Sequence, residues 1–276
     1  MEKIVKGKLL VVGAGAMGEA LLAGVLASDL LCPSQVTVVE PNQDKELLLK
    51  ERYGVEVISK IDFRNYGPDD VCLLAVKPQI AYLVLQDLAP RLDRTLFISI
   101  AIGITIDDYY QVLDKNIPVV RAMPNMPMSI GEGMTLLSFA ENVNDEQKSI
   151  ATQLFESAGR SEHIPEEWQS AGATISGSGP AYFSYMIEAL IAAGNDAGLP
   201  NELSKRLAAQ TAIGVSKMLL TTKRSPQEIM QATASPGGIT EAALKTLDTE
   251  GVHDAIVAAF LASIARAEQL EDAFGD

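Results

Sequence analysis

Cysteine, histidine and positive charge are all scarce in this sequence, and each scarcity narrows the functions open to it. Two cysteines in 276 residues, Cys32 and Cys72, suggest neither a disulfide framework nor a thiolate metal cage. Cys72 lies in an apolar run where it reads as a small buried hydrophobe, and the sparse usage fits a reducing, cytoplasmic location. The two histidines, His163 and His253, stand far apart and outside every motif, so they read as surface or packing residues rather than acid–base groups. No metal is expected. Lys plus Arg number 22 against 36 Asp plus Glu, a net charge of −14 that repels a phosphate backbone, so no nucleic-acid partner is expected. The longest apolar stretch, around 255–265, falls short of the roughly 18 residues of a membrane span, so no membrane partner is expected either. Lys3, Lys6 and Lys8 ahead of Leu9-Leu10-Val11-Val12 imitate a secretory leader, but glycines at 13, 15, 18 and 24 and the charge of Glu19 break the segment.

What remains is a chain of ordinary globular composition, 47% hydrophobic and 21% charged, with no internal repeat, long enough for two domains. In its first half, short apolar or β-branched runs at 9–12, 36–39, 71–76, 96–100 and 119–123 alternate with helix-period segments near 17–27, 43–52 and 80–91. Continuous apolar strands separated by helices predict a doubly wound α/β sheet of the Rossmann type, with the run at 134–139 extending the sheet at its edge. From about Glu166 the spacing becomes helical throughout, over 180–197, 202–221, 226–234 and 252–271, punctuated by Gly198-Leu199-Pro200, Ser225-Pro226 and Ser235-Pro236-Gly237-Gly238. The expected division is a dinucleotide-binding domain over 1–164 and an all-helical domain over 165–276. Helices such as 181–193 and 255–265 are apolar on more than one face, which favours a bundle shared between subunits over one central helix in a monomeric bundle.

Directly after the first strand stands Gly13-Ala14-Gly15-Ala16-Met17-Gly18, a full G-x-G-x-x-G that opens a helix. Each glycine has a task there: Gly13 makes the tight turn, Gly15 lets a pyrophosphate approach the backbone, and Gly18 packs helix on strand. Glu40 closes the second strand 40 − 18 = 22 residues beyond Gly18, near the spacing of about 20 at which an acid binds the adenosine ribose. A carboxylate there repels a 2′-phosphate, so NAD(P)H is the expected cofactor with a lean toward NADH, although Asn42, Gln43 or Lys45 could receive the phosphate.

Further blocks follow in order: Ala75-Val76-Lys77-Pro78-Gln79, Arg121-Ala122-Met123-Pro124-Asn125, Ser176-Gly177-Ser178-Gly179-Pro180-Ala181-Tyr182 and Ser235-Pro236-Gly237-Gly238-Ile239-Thr240. Together with the glycine fingerprint they resemble pyrroline-5-carboxylate reductase, from about residue 8 to about residue 271. The resemblance implies reduction of a cyclic imine, 1-pyrroline-5-carboxylate, to L-proline by NAD(P)H. It further implies a homodimer through the helical domain, in a family whose dimers can assemble into a ring. It casts Thr240 as the catalytic hydroxyl at the ring nitrogen, and places Ser235, Gly237, Gly238 and Ile239 with Met123 and Asn125 around the substrate. Ala75, Val76, Lys77, Pro78 and Ala101 fall to the cofactor beside residues 13–18 and Glu40. Backbone N–H groups of a glycine-rich segment opening a helix suit a carboxylate on independent physical grounds. Met126, Ile239 and Ala101-Ile102 depart from the family pattern near this site and bear on the shape of the pocket. Two other readings compete: a β-hydroxyacid dehydrogenase, which would need a lysine one turn into the helix after Gly179 where none stands, and a regulator that binds NAD(P)H without turnover.

Overall fold

The computed structural model describes residues 5–62 and 64–272. In chain order the elements are β1 (Leu9–Val12), α1 (Ala16–Ala27), β2 (Val36–Val39), α2 (Gln43–Tyr53), β3 (Glu56–Ile58), β4 (Val71–Leu74), α3 (Pro78–Leu88), β5 (Leu96–Ser99), α4 (Ile106–Tyr109) and β6 (Val119–Met123). They continue with β7 (Gly133–Phe139), α5 (Asp145–Glu156), β8 (Gly159–His163), α6 (Gln169–Ser176), α7 (Gly179–Asp196), α8 (Asn201–Thr221), α9 (Pro226–Thr233), α10 (Ile239–Thr249) and α11 (Val252–Asp272).

The strands form one sheet in the order β3-β2-β1-β4-β5-β6-β7-β8. From β3 through β6 all neighbours are parallel, while β7 runs antiparallel to β6 and β8 pairs parallel with β7. Every residue of β1, β2, β4 and β5 is buried, as helices on both faces require of a parallel sheet. The strand order reverses between β1 and β4, and ligands bind outside the carboxyl ends of strands at such a reversal. The run at 134–139 is therefore an interior strand and not the edge. That place belongs to β8, whose Gly-Arg-Ser-Glu-His sequence carries no hydrophobic signal because little of it is buried. The apolar runs also overshoot at two strands: Ala75 and Val76 lie past the end of β4, and Ile100 past the end of β5.

By packing, the chain divides into one unit of Met1–Ser178 with Ile264–Asp276 and a second of Gly179–Ser263. Residues 165–178 thus pack with the sheet rather than with the helices that follow. The cause is local: a Cβ on Gly172 of α6 would lie 2.6 Å from the Leu136 side chain of β7, and Gln169 is fully enclosed, its amide donating to Ser138 Oγ at 2.9 Å. In the second unit, α7 leaves large apolar side chains uncovered within the chain, Phe183 at 63% and Tyr185 at 77% exposure among them.

Cys72, in the centre of β4, is fully buried, and desolvation pushes its thiol up to about 12, whereas Cys32 is exposed. An aromatic disulfide reagent at neutral pH is therefore expected to titrate one thiol per native chain, and both after denaturation. Two thiols reacting at once in the native protein would contradict this packing of β4.

Candidate active site

The site begins where β1 ends. Gly13 has φ +90°, and a Cβ on it would lie 2.8 Å from the carbonyl oxygen of Ala75, just beyond the neighbouring strand β4. Gly18 is equally constrained, since a Cβ there would lie 2.5 Å from the Gly13 carbonyl. At Gly15 a Cβ would meet nothing within 4 Å, and this residue caps α1 with no side-chain hydrogen bond to the first-turn N–H groups. The turn is thus closed on its protein side and open on its solvent side, with uncapped helix N–H groups available. That is the form a dinucleotide pyrophosphate requires. Ala14 is buried beneath the turn, Ala16 is exposed at its opening and Met17 is half-buried.

Glu40 follows β2 at the same end of the sheet and is nearly buried. One carboxylate oxygen accepts the Asn42 N–H at 3.1 Å, and the other lies 3.8 Å from Lys45 Nζ. Asn42 itself caps α2 through the Lys45 N–H at 3.1 Å, so the acid and the cation beside it are set by the same turn. Past β4, the Ala75 N–H donates to the Val12 carbonyl at 2.8 Å, which locks the loop of Ala75 and Val76 against the end of β1. Lys77 is the exposed N-cap of α3, and Pro78 takes the first helical position, where no N–H is needed.

At the ends of β5 and β6 lies a small cavity whose walls include Ala101, Ile102, Gly103, Arg121, Met123 and Gln169. Ala101 is buried, and its N–H donates to Ser99 Oγ at 3.2 Å; that hydroxyl also bonds the buried Tyr109 hydroxyl at 2.5 Å. Burial drives the Tyr109 phenol far above its ordinary range, so it stays protonated. Arg121 pairs with Glu166 at 3.2 Å, and the same carboxylate oxygen accepts the Ile106 N–H at 2.8 Å. Sequence reasoning passed over Glu166 and Gln169, since their only signal is two polar residues at the start of the helical half.

Met123 ends β6 and borders this cavity. Asn125, two residues on, is anchored through its side-chain amide: Nδ2 donates to the Ser176 carbonyl at 2.8 Å and Oδ1 accepts the Met134 N–H at 2.8 Å. Met126 beside it is exposed.

In the second unit, residues 235–240 form a turn into α10. Gly237 has φ +71°, the Gly238 N–H donates to the Ser235 carbonyl at 2.9 Å, and Gly238 is the N-cap, without a side-chain cap. The Gly237 N–H donates to Glu241 Oε2 at 2.7 Å, so this backbone already receives a carboxylate from its own chain. Ser235 is exposed, Thr240 is half-buried and Ile239 is 91% exposed. The histidines lie apart from these groups in their bonding: His163 bonds Thr152 Oγ1 at 2.7 Å and packs edge-on against Phe139, and His253 faces Asp254.

Comparison with known proteins bears on both halves of the chain. Residues 166–270 match the family model described as pyrroline-5-carboxylate reductase dimerisation, and residues 8–103 match one described as NADP oxidoreductase, coenzyme F420-dependent. The pyrroline-5-carboxylate reductase of Synechocystis sp. is 36% identical over 263 residues, covering 94% of this chain and 97% of its own. That of Escherichia coli is 32% identical, with 94% and 96% covered. Among solved structures, a pyrroline-5-carboxylate reductase from Coxiella burnetii superposes with a TM-score of 0.88 at 33% identity, covering 96% of this chain and 98% of that one. A Plasmodium falciparum pyrroline carboxylate reductase with NADP bound gives 0.85 at 29%, over 97% and 99%. A glycine cradle at the strand reversal and likeness to these enzymes along nearly the whole chain lead to one conclusion: the chain belongs to the pyrroline-5-carboxylate reductase family.

Proposed function

We propose that this protein reduces 1-pyrroline-5-carboxylate to L-proline with NAD(P)H. Near full-length likeness to curated reductases carries the reading, and the open face of the cradle at Gly15 provides a seat for the dinucleotide. When bound, NAD(P)H would supply a hydride for the imine carbon, and with a proton on the ring nitrogen the products would be L-proline and NAD(P)+. In this reading residues 13–18 hold the pyrophosphate, Glu40 the adenosine ribose, and the loops of 75–78 and Ala101 flank the rest of the cofactor. Residues 235–240 receive the substrate carboxylate on backbone N–H groups, and the Thr240 hydroxyl bonds the ring nitrogen. In this reading the substrate carboxylate takes the place of the Glu241 carboxylate that now accepts the Gly237 N–H. Met123 and Asn125 border the substrate, and the two bonds of the Asn125 amide also fix the turn after β6 while leaving its second N–H and second lone pair.

The uncovered apolar side chains of α7 support a homodimer through the helical unit, and assembly of such dimers into a ring is the larger form the family suggests; sedimentation equilibrium distinguishes the two. Among the described residues no helix is long and apolar enough to cross a membrane, and both cysteines are free thiols, which supports a cytoplasmic setting.

The test follows dihydronicotinamide absorbance with purified protein, 1-pyrroline-5-carboxylate and either NADH or NADPH. Imine-dependent oxidation is expected. Dinucleotide binding without oxidation would move the assignment to a regulator. The same assay tests the cofactor preference, for which we favour NADH on the charge of Glu40, tempered by Lys45 at 3.8 Å. Removing that charge in Glu40→Gln is expected to shift the NADH-to-NADPH ratio of kcat/KM toward NADPH by about tenfold, the worth of about 1.4 kcal/mol at short range. An unmoved ratio would mean that Glu40 does not read the ribose.

A further inference from the structure

We infer that Arg121 and Glu166 form a charge pair that sets the balance between oxidised and reduced dinucleotide at the cavity on the ends of β5 and β6, an inference that rests on the reductase reading. Three observations carry it. Arg121 lines the cavity with its side chain only 10% exposed, beside Ala101 and Met123, at the carboxyl ends of strands where a doubly wound sheet places its ligand. Glu166 reaches Arg121 across 45 residues of sequence, with Oε1 3.2 Å from Nη1. That same oxygen accepts the Ile106 N–H at 2.8 Å, so the backbone fixes the carboxylate beside Arg121 although its side chain is 29% exposed.

The oxidised nicotinamide ring carries a positive charge that the reduced ring lacks. A fixed charge beside it therefore acts on the two redox forms unequally, and the low dielectric of an enclosed wall strengthens the effect. Arg121 on the wall disfavours the oxidised form; Glu166 behind it offsets that bias. A clamp that only held the β5–α4 loop and β6 in place would weaken both forms together when broken. An electrostatic pair gives shifts of opposite sign for its two members.

The experiment titrates NADP+ and NADPH, and separately NAD+ and NADH, into the full-length protein by calorimetry, for the parent, Glu166→Gln, Arg121→Met and the double variant. The glutamine keeps an oxygen for the Ile106 N–H and removes only the charge. Glu166→Gln is expected to raise the ratio of oxidised to reduced Kd by roughly tenfold, Arg121→Met to lower it by a similar factor, and the double variant to return it close to the parent. A ratio within about twofold of the parent in Glu166→Gln overturns the inference, as do two single variants that shift it in the same direction. Should Arg121→Met not fold, the Glu166→Gln ratio alone decides. A parent that oxidises NAD(P)H with the imine while its variants keep one ratio defeats this inference and leaves the reductase reading intact. A parent that binds dinucleotide but never turns over defeats the reading, and with it this inference.

Discussion

Thr240→Ala is expected to lower kcat for imine reduction by about a hundredfold, the lower end of what a positioned proton donor contributes. The hydroxyl sits on the second residue of α10, one position past Ile239 and two past the Gly238 N-cap. Because Gly238 provides the N-cap and Thr240 is half-buried, losing the hydroxyl leaves the helix start in place. Thermal stability is therefore expected to change by less than about 1 kcal/mol, and dinucleotide Kd by less than about twofold. Thr240→Ser, which restores a hydroxyl with one methyl fewer, should recover most of the rate. Stopped-flow measurement of the hydride step separates this from slower product release. A kcat for the alanine variant within about threefold of the parent would remove Thr240 from the chemistry and return the proton to solvent.

The second large effect concerns two glycines two residues apart. Gly13→Ala is expected to destabilise the fold by about 3 kcal/mol, from left-handed strain and overpacking together. Its φ of +90° disfavours any side chain, and the atom 2.8 Å away is the backbone oxygen of Ala75, which cannot rotate aside. Gly15→Ala meets nothing within 4 Å, at φ −60°, so its unfolding curve in denaturant should overlie the parent's. Yet the added methyl occupies the space through which a pyrophosphate would approach, and dinucleotide Kd is expected to rise by at least about tenfold, a cost of about 1.4 kcal/mol. Unchanged affinity in a folded Gly15→Ala protein would place the phosphates elsewhere.

The parallel core strands were legible because burial on both faces forces continuous apolar sequence, as in Leu9-Leu10-Val11-Val12 and Val36-Thr37-Val38-Val39. Strands without that constraint were not. β3 is three residues with one buried side chain, and β8 is polar, because an edge strand satisfies half its backbone from one neighbour and shows the rest to water. α5 was also overlooked, although Asn144 and Gln147 form a reciprocal cap that is written in the sequence as Asn-x-x-Gln. The position after β6 shows a different limit. Asn125 reads as a ligand-binding amide from its place in a motif, and only its two bonds, to Ser176 and Met134, reveal that the amide also anchors the turn after β6.

Elements with a local cause can be read along the chain: the doubly wound sheet, the glycine turn with Glu40 behind it, the helical second half and the family. Periodicity, turn chemistry and spacing act over a few residues, so they can be read from a few residues. Only the folded chain shows which atoms close on Gly13 and Gly18, that residues 165–178 pack with the sheet, and that Glu166 meets Arg121 and Ile106. Those outcomes depend on contacts between segments distant in sequence, where burial makes a single carboxylate oxygen or a missing Cβ matter, and no local pattern records them.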